Sequence, residues 1–205
     1  MQVNTKGCFV THGELILASS SPRRQQFLRE LGIEFTVQTV EIDESCTDIE
    51  SPEELVLRLS EEKALAVAVR NPTAYVLAAD TVVVIGGEIL GKPKDDEDAE
   101  RILKRLSGKW HEVWTGFCIM KASAALNKKR AVMTKVLFRE LSDNLCRAYV
   151  LSGEPSDKAG GYGLQGKGGF LVEQIDGSYS NVIGLPVAQV VDNLLQYEII
   201  TPRLK

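Results

Sequence analysis

Only two histidines, His12 and His111, occur in the chain, so a metal centre built on several imidazoles is excluded and any metal would be held by oxygen, as magnesium or manganese are. The four cysteines, Cys8, Cys46, Cys118 and Cys146, are scattered without a CxxC pair. That spacing fits neither a disulfide framework nor a zinc site and suits a reducing compartment. No apolar run approaches the roughly 18 residues that span a bilayer, and the first residues lack a basic segment leading into a long apolar one. The expectation is a cytoplasmic protein with no membrane partner. No GxxxxGK[ST] or GxSxG occurs, which leaves out a P-loop and a hydrolase elbow. Positive charge is in deficit too: the formal net charge is −4, which argues against a nucleic-acid partner, whose binding needs a broad basic face. Basic residues that matter must act locally.

What is there is an ordinary globular composition, 205 residues with 44% hydrophobic and 25% charged side chains. The stretch Ser19-Ser20-Ser21-Pro22-Arg23-Arg24 follows the apolar run Leu15-Ile16-Leu17-Ala18. The run reads as a buried strand, and Pro22 suits the first turn of a helix. Free N–H groups at such a junction attract an anion, and two guanidinium forks can bind phosphate oxygens. The same hexapeptide also fits a plain helix cap followed by two solvated arginines.

Further along, a strand is expected over FTVQTV, then an acidic loop, EIDESCTDIE, and a long helix opened by the capping box Ser51-Pro52-Glu53-Glu54. Tyr75 to Ile85 reads as strand, Gly86-Gly87 as a hairpin turn, and DDEDAE as the acidic start of a helix. HEVWTGFCIM and AVMTKVLFREL read as two strands separated by the polar SAALNKK, and Ser142 as the cap of a further helix. The glycine-rich stretch from Gly153 to Gly184 is expected to run as loop and strand, with a strand over Gly169 to Ile175, and Pro186 to open the last helix. Strands alternating with helices imply an α/β fold.

Asp80 stands out because it interrupts a mostly apolar strand, where an unpaired carboxylate costs several kcal/mol. It is either a strand-end cap or a carboxylate that holds a cation or accepts a proton from water. Glu41, Asp43 and Glu44 could share such a cation or be merely solvated. Lys63 has Glu61 and Glu62 beside it and reads equally as a surface ion pair. Lys92, between Gly91 and Pro93, sits in a tight loop suited to a phosphate-directed ammonium. Gly161 to Gly166 matches GxGxxG by letter, but the expected strand after it contradicts a dinucleotide site. Trp110 and Trp114 flank His111 on one strand and read as core or rim residues rather than base-stacking platforms.

Seven segments in order resemble the Maf family of septum-formation-inhibitor-like nucleotide pyrophosphatases: SSSPRR at 19–24, EEKA at 61–64, AADT at 78–81, GKP at 91–93, SGKWHEVWTG at 107–116, GEPSDKAGGYGLQG at 153–166 and IDGSYSNVIGLP at 175–186. The resemblance implies an elongated, twisted mixed sheet flanked by helices, with two halves around a cleft as in Maf and ITPase-like proteins. It implies one domain over residues 14–205 behind an N-terminal extension, residues 1–13, and a homodimer. It further implies hydrolysis of a nucleoside triphosphate to monophosphate and pyrophosphate with a divalent cation, Mg2+ or Mn2+. On this resemblance Asp80 is the proton acceptor, Ser21, Arg23, Arg24, Lys63, Thr81, Lys92 and Gln165 bind substrate, and Glu44 joins Asp80 at the metal. Arg23, Thr81 and Gln165 together look like the dTTP/UTP-type subgroup; the 7-methylguanosine type carries tryptophan, glutamine and glutamate there. Gly161, where alanine is common, departs from the pattern. Competing readings are a nucleotide-sensing regulator of cell division without turnover and a phosphomonoesterase. An intact Asp80 beside basic residues favours the pyrophosphatase, because a sensor needs no base.

Overall fold

Short apolar runs closed by turn residues set the strands, and hydroxyls or carboxylates ahead of proline or acids start most of the helices. The computed structural model describes residues 7–44 and 50–204; Cys46 and residues 1–6 of the expected extension lie outside the described residues. In chain order the elements are β1 (Phe9–Thr11), β2 (Leu15–Leu17), α1 (Pro22–Glu30), β3 (Thr36–Val37), α2 (Pro52–Ala68), β4 (Tyr75–Ile85), β5 (Glu88–Leu90), α3 (Asp96–Leu106), β6 (Trp110–Lys121), β7 (Leu126–Phe138), α4 (Asp143–Val150), β8 (Val172–Asp176), α5 (Tyr179–Ile183), α6 (Val187–Gln196) and β9 (Ile200–Pro202). Ser51 opens α2 through a complete capping box, its Oγ accepting from Glu54 N at 3.2 Å while Glu54 Oε2 accepts from Ser51 N at 2.9 Å. Asp95 Oδ1 caps α3 by accepting from Asp98 N at 2.8 Å.

The sheet order is β3-β2-β4-β6-β7-β8, with β5 hydrogen-bonded to the far end of β4; β1 and β9 form a separate antiparallel pair. Strands β3, β2 and β4 run parallel, and β4, β6, β7 and β8 are antiparallel. One face carries α2 over Ile16, Val76, Ala78, Val82 and Val84. The opposite face carries two apolar clusters. The first gathers Leu17, Leu77, Ala79, Phe117 and Ile119 with Leu28 of α1 and Leu194 of α6; the second gathers Val83, Ile85, Val113 and Phe138 with Leu103 of α3 and Cys146 of α4. Mixed pairing, flanking helices and two clusters agree with the α/β fold and its two halves.

Three expectations change. FTVQTV is strand only at Thr36–Val37. The polar SAALNKK does not keep the two long strands apart: a 3-10 turn at Ala122–Ala124 suffices and β7 begins at Leu126, because a solvent-facing antiparallel ladder satisfies its backbone without apolar side chains. The glycine-rich stretch contains 3-10 turns at Pro155–Asp157, Ala159–Gly161 and Lys167–Leu171 and the helix α5, so the strand expected over Gly169 to Ile175 begins at Val172.

Candidate active site

Asp80 is in the middle of β4 and is buried, so the strand-end cap is ruled out. Its location in the sheet is nonetheless special. β2 pairs β4 only at Tyr75 to Leu77 and β5 pairs it only at Val83 to Ile85. Among the described residues no strand covers that edge of β4 in between, and there a cleft of about 720 Å³ opens. The pleat sends neighbouring side chains to opposite faces. Asp80 therefore points towards α2 and Thr81 towards α1 and α5, and the open edge admits both to one cleft.

On the α2 side, Asp80 lies opposite Gly116 in β6, where a Cβ would stand 2.3 Å from Val56 O. Glycine is required for α2 to rest this close to the sheet. Lys63, about two turns beyond Val56, then reaches down to Asp80. Its Nζ donates to Asp80 Oδ1 at 2.5 Å and to Glu44 Oε1 at 2.6 Å. The surface pairing with Glu61 and Glu62 does not form; Glu61 binds Asn127 and Lys129, and Glu62 binds Arg58. Hydrogen bonding to Lys63 holds the Glu44 carboxyl below its usual range against desolvation, and the charges of Lys63, Lys92 and Arg24 act in the same direction.

On the other side, Arg24 is fixed by three contacts. Its Nε donates to Gly184 O at 2.7 Å, Nη1 to Ser19 Oγ at 3.1 Å and Nη2 to Thr81 Oγ1 at 3.1 Å. Burial lowers its pKa while the charge of Asp80 acts to raise it. Ser21 precedes α1 without capping it through its side chain, which removes the plain-cap alternative for that hydroxyl.

Ser21, Arg23, Arg24, Glu44, Lys63, Asp80, Thr81, Lys92 and Gln165 all line the cleft. Glu41 and Asp43 are exposed and are not among its lining residues. The rim also contributes residues that reading the sequence did not single out. Asp157 lies 4.0 Å from Arg23 and 2.5 Å from Lys158, and Lys158 faces the cleft with them; the charged Ser-Asp-Lys inside a glycine-rich run was the available signal. Counting Lys158, five cationic side chains and three carboxylates among the described residues line the cleft, a local positive excess there in a chain of net charge −4. Gln165 Nε2 donates to Gln26 Oε1 at 3.3 Å. Its loop is tied down by Glu154, whose carboxylate accepts from Lys167 N, Gly168 N and Tyr149 OH at 3.0 to 3.1 Å. Beside the loop, Tyr162 OH bonds His111 Nε2 at 2.8 Å, and burial pushes the His111 imidazole down to about 4. The GxGxxG lettering is followed by a 3-10 turn and a strand, not by an α-helix, so no dinucleotide fingerprint forms.

Two carboxylate oxygens within 2.6 Å of a single nitrogen form a donor set that fits a hard divalent cation such as Mg2+, which takes one or two carboxylates and fills its shell with water and phosphate oxygens. Among the described residues no cluster of three or more His, Cys, Asp or Glu converges. No helix among the described residues is long and apolar enough to cross a membrane.

The likeness to known proteins covers almost all of this framework. The dTTP/UTP pyrophosphatase of Desulfotalea psychrophila is 49% identical over 187 residues, which is 91% of this chain and 96% of that protein. The protein of the same name from Symbiobacterium thermophilum is 50% identical over 184 residues, 90% and 94% of the two chains. Among solved structures, the Ham1 protein of Staphylococcus aureus aligns with a TM-score of 0.54 at 15% identity, covering 91% of this chain and all of that one; at that identity it speaks for the fold alone. The sequence pattern described as Maf-like protein matches residues 14–197, and with relatives this close over nine-tenths of its length the chain belongs to the Maf family.

Proposed function

We infer that this protein hydrolyses dTTP and UTP to the monophosphate and pyrophosphate. The observation that carries the reading is the meeting of a buried carboxylate, Asp80, with a surplus of cationic side chains in one cleft, in a chain about half identical to dTTP/UTP pyrophosphatases. A triphosphate needs its charge neutralised and its reacting phosphorus held in line with the attacking oxygen. Arg23, Arg24, Lys92 and Lys158 would supply the first requirement. Ser21 and the start of α1 would receive phosphate oxygens through hydroxyl and backbone N–H donors.

Asp80 would accept the proton of the attacking water. Glu44 and Asp80 would hold a divalent cation, which when bound draws negative charge from the phosphate oxygens and orients them. A cation held there would compete with Lys63 for the two carboxylates, and an ammonium displaced from them would be free to turn to the phosphates. Gln165 presents an acceptor and a donor side by side, which match N3–H and O4 of uracil and thymine. A cytoplasmic homodimer completes the reading, to be checked by light scattering and cell fractionation.

The test is turnover of UTP, dTTP, CTP, GTP and 7-methyl-GTP by the purified protein with Mg2+, identifying both products. Highest kcat/KM for UTP and dTTP with pyrophosphate release, abolished by excess chelator, is expected. Release of inorganic phosphate alone, or a preference for either guanine nucleotide, rejects the assignment.

A further inference from the structure

Thr115 of β6 is fully buried and is not itself among the residues that line the cleft, yet its hydroxyl oxygen has two hydrogen-bond partners. Its Oγ1 lies 3.1 Å from Asn181 O and 2.9 Å from Thr81 Oγ1. The polarity of this chain of bonds is determined. A carbonyl oxygen only accepts, so the single hydroxyl proton of Thr115 goes to Asn181 O. Thr81 must then donate to Thr115, which leaves the Thr81 oxygen facing Arg24 as an acceptor for Nη2 at 3.1 Å.

We propose that Thr115 is a positioning residue for the reaction: through the one-way relay Arg24 N–H to Thr81 to Thr115 to Asn181 C=O, it fixes the Arg24 guanidinium in the orientation that meets the triphosphate. The proposal deepens the reading above and rests on Arg24 contacting phosphate.

Three further observations support it. Asn181 belongs to α5, and the residue after that helix, Gly184, gives its carbonyl to Arg24 Nε at 2.7 Å. One short helix thus holds the guanidinium twice, directly and through the relay. Gly184 has φ +115°, a conformation that L side chains rarely adopt, so glycine lets the chain after α5 take the course that presents this carbonyl to Arg24. Finally, Asn181 is itself fixed, its Nδ2 donating to Val113 O at 3.1 Å and to Thr134 Oγ1 at 3.0 Å. The segment IDGSYSNVIGLP is thereby the frame on which Arg24 is mounted.

The experiment compares Thr115→Val, which keeps the shape and removes the hydroxyl, with Thr115→Ser, which keeps the hydroxyl and removes a methyl group. Both lose some packing or bonding and are expected to melt below the wild type. Only Thr115→Val should raise KM for UTP and lower kcat/KM, by about 10-fold for a lost hydrogen bond to a charged group's holder; Thr115→Ser should restore most of it. In an Arg24→Ala background Thr115→Val should add little. Equal damage by valine and serine, or an undiminished valine effect without Arg24, overturns the proposal. If the wild type does not turn over UTP, the functional reading fails by itself. The relay is then decided by calorimetric titration of the same proteins with inorganic tripolyphosphate: weaker binding by the valine variant, restored by serine, sustains it, and equal binding by all of them overturns it.

Discussion

On the α2 side of β4 the polar groups are ionic, with Lys63 between Asp80 and Glu44 at 2.5 and 2.6 Å; on the other side one guanidinium is held by neutral oxygens of Ser19, Thr81 and Gly184. The ionic side can rearrange. Its ammonium has two counter-ions and a long flexible stem, and the proposed divalent cation would compete directly for the same carboxylates. The neutral side cannot exchange partners so easily, because carbonyls and a polarised hydroxyl relay offer one orientation and the guanidinium fork matches it. A carboxylate hydrogen-bonded to Arg24 would pair with its charge directly, whereas hydroxyls and a carbonyl orient the guanidinium without doing so. On the proposed mechanism the two faces would divide the work into proton and cation handling on one and anion orientation on the other.

The sharpest way to break this division is Asp80→Asn. The amide keeps the shape but accepts no proton, and kcat should fall by about 10²–10⁴-fold with nucleotide binding retained. Near-normal turnover would reduce Asp80 to a counter-ion for Lys63. A second variant addresses the neutral face. Arg24→Lys keeps the charge and loses the fork, and KM for UTP should rise by about 10-fold with a smaller change in kcat. An unchanged KM would mean that charge alone matters there.

Gln165→Glu removes the amide donor at the rim, so kcat/KM for UTP relative to GTP should drop by about 10-fold; competition between the two nucleotides in one reaction measures it.

The smallest effect concerns pH. Lys63 depresses the Glu44 pKa, so folding gains stability from this pair above the ordinary carboxylate value, and the gain is lost as pH falls through the depressed folded value. Thermal melting from pH 7 down to about pH 3 should therefore fall less steeply for Glu44→Gln than for the wild type. Parallel curves would show that the pair contributes nothing to folding, in keeping with the half-exposed Glu44 side chain.

Local patterns in the sequence were sufficient for most element boundaries. Ser51 with Glu54, Asp95 ahead of acids, and Gly86-Gly87 between apolar runs act over a few residues, and the last pair takes φ +59° and +82° in the turn it closes. The motifs likewise named most of the charged residues that line the cleft, Asp157 and Lys158 excepted, since an aspartate within an apolar strand or two arginines after serines are conspicuous wherever the chain takes them. Thr115 and Asn181 carried no such signal. A threonine in a strand and an asparagine in a glycine-rich stretch are ordinary residues in sequence.

What the sequence determined by itself was the inventory: strands from apolar runs, helix starts from caps, and a set of conspicuous charged residues whose roles it left open. What only the tertiary structure decided was how that inventory is divided. The pleat separates Asp80 from Thr81, the missing Cβ of Gly116 lets α2 bring Lys63 to the first, and strand register sets Thr115 beside the second. Those outcomes depend on contacts between residues distant in the chain, and only the closed backbone brings such residues within hydrogen-bonding reach.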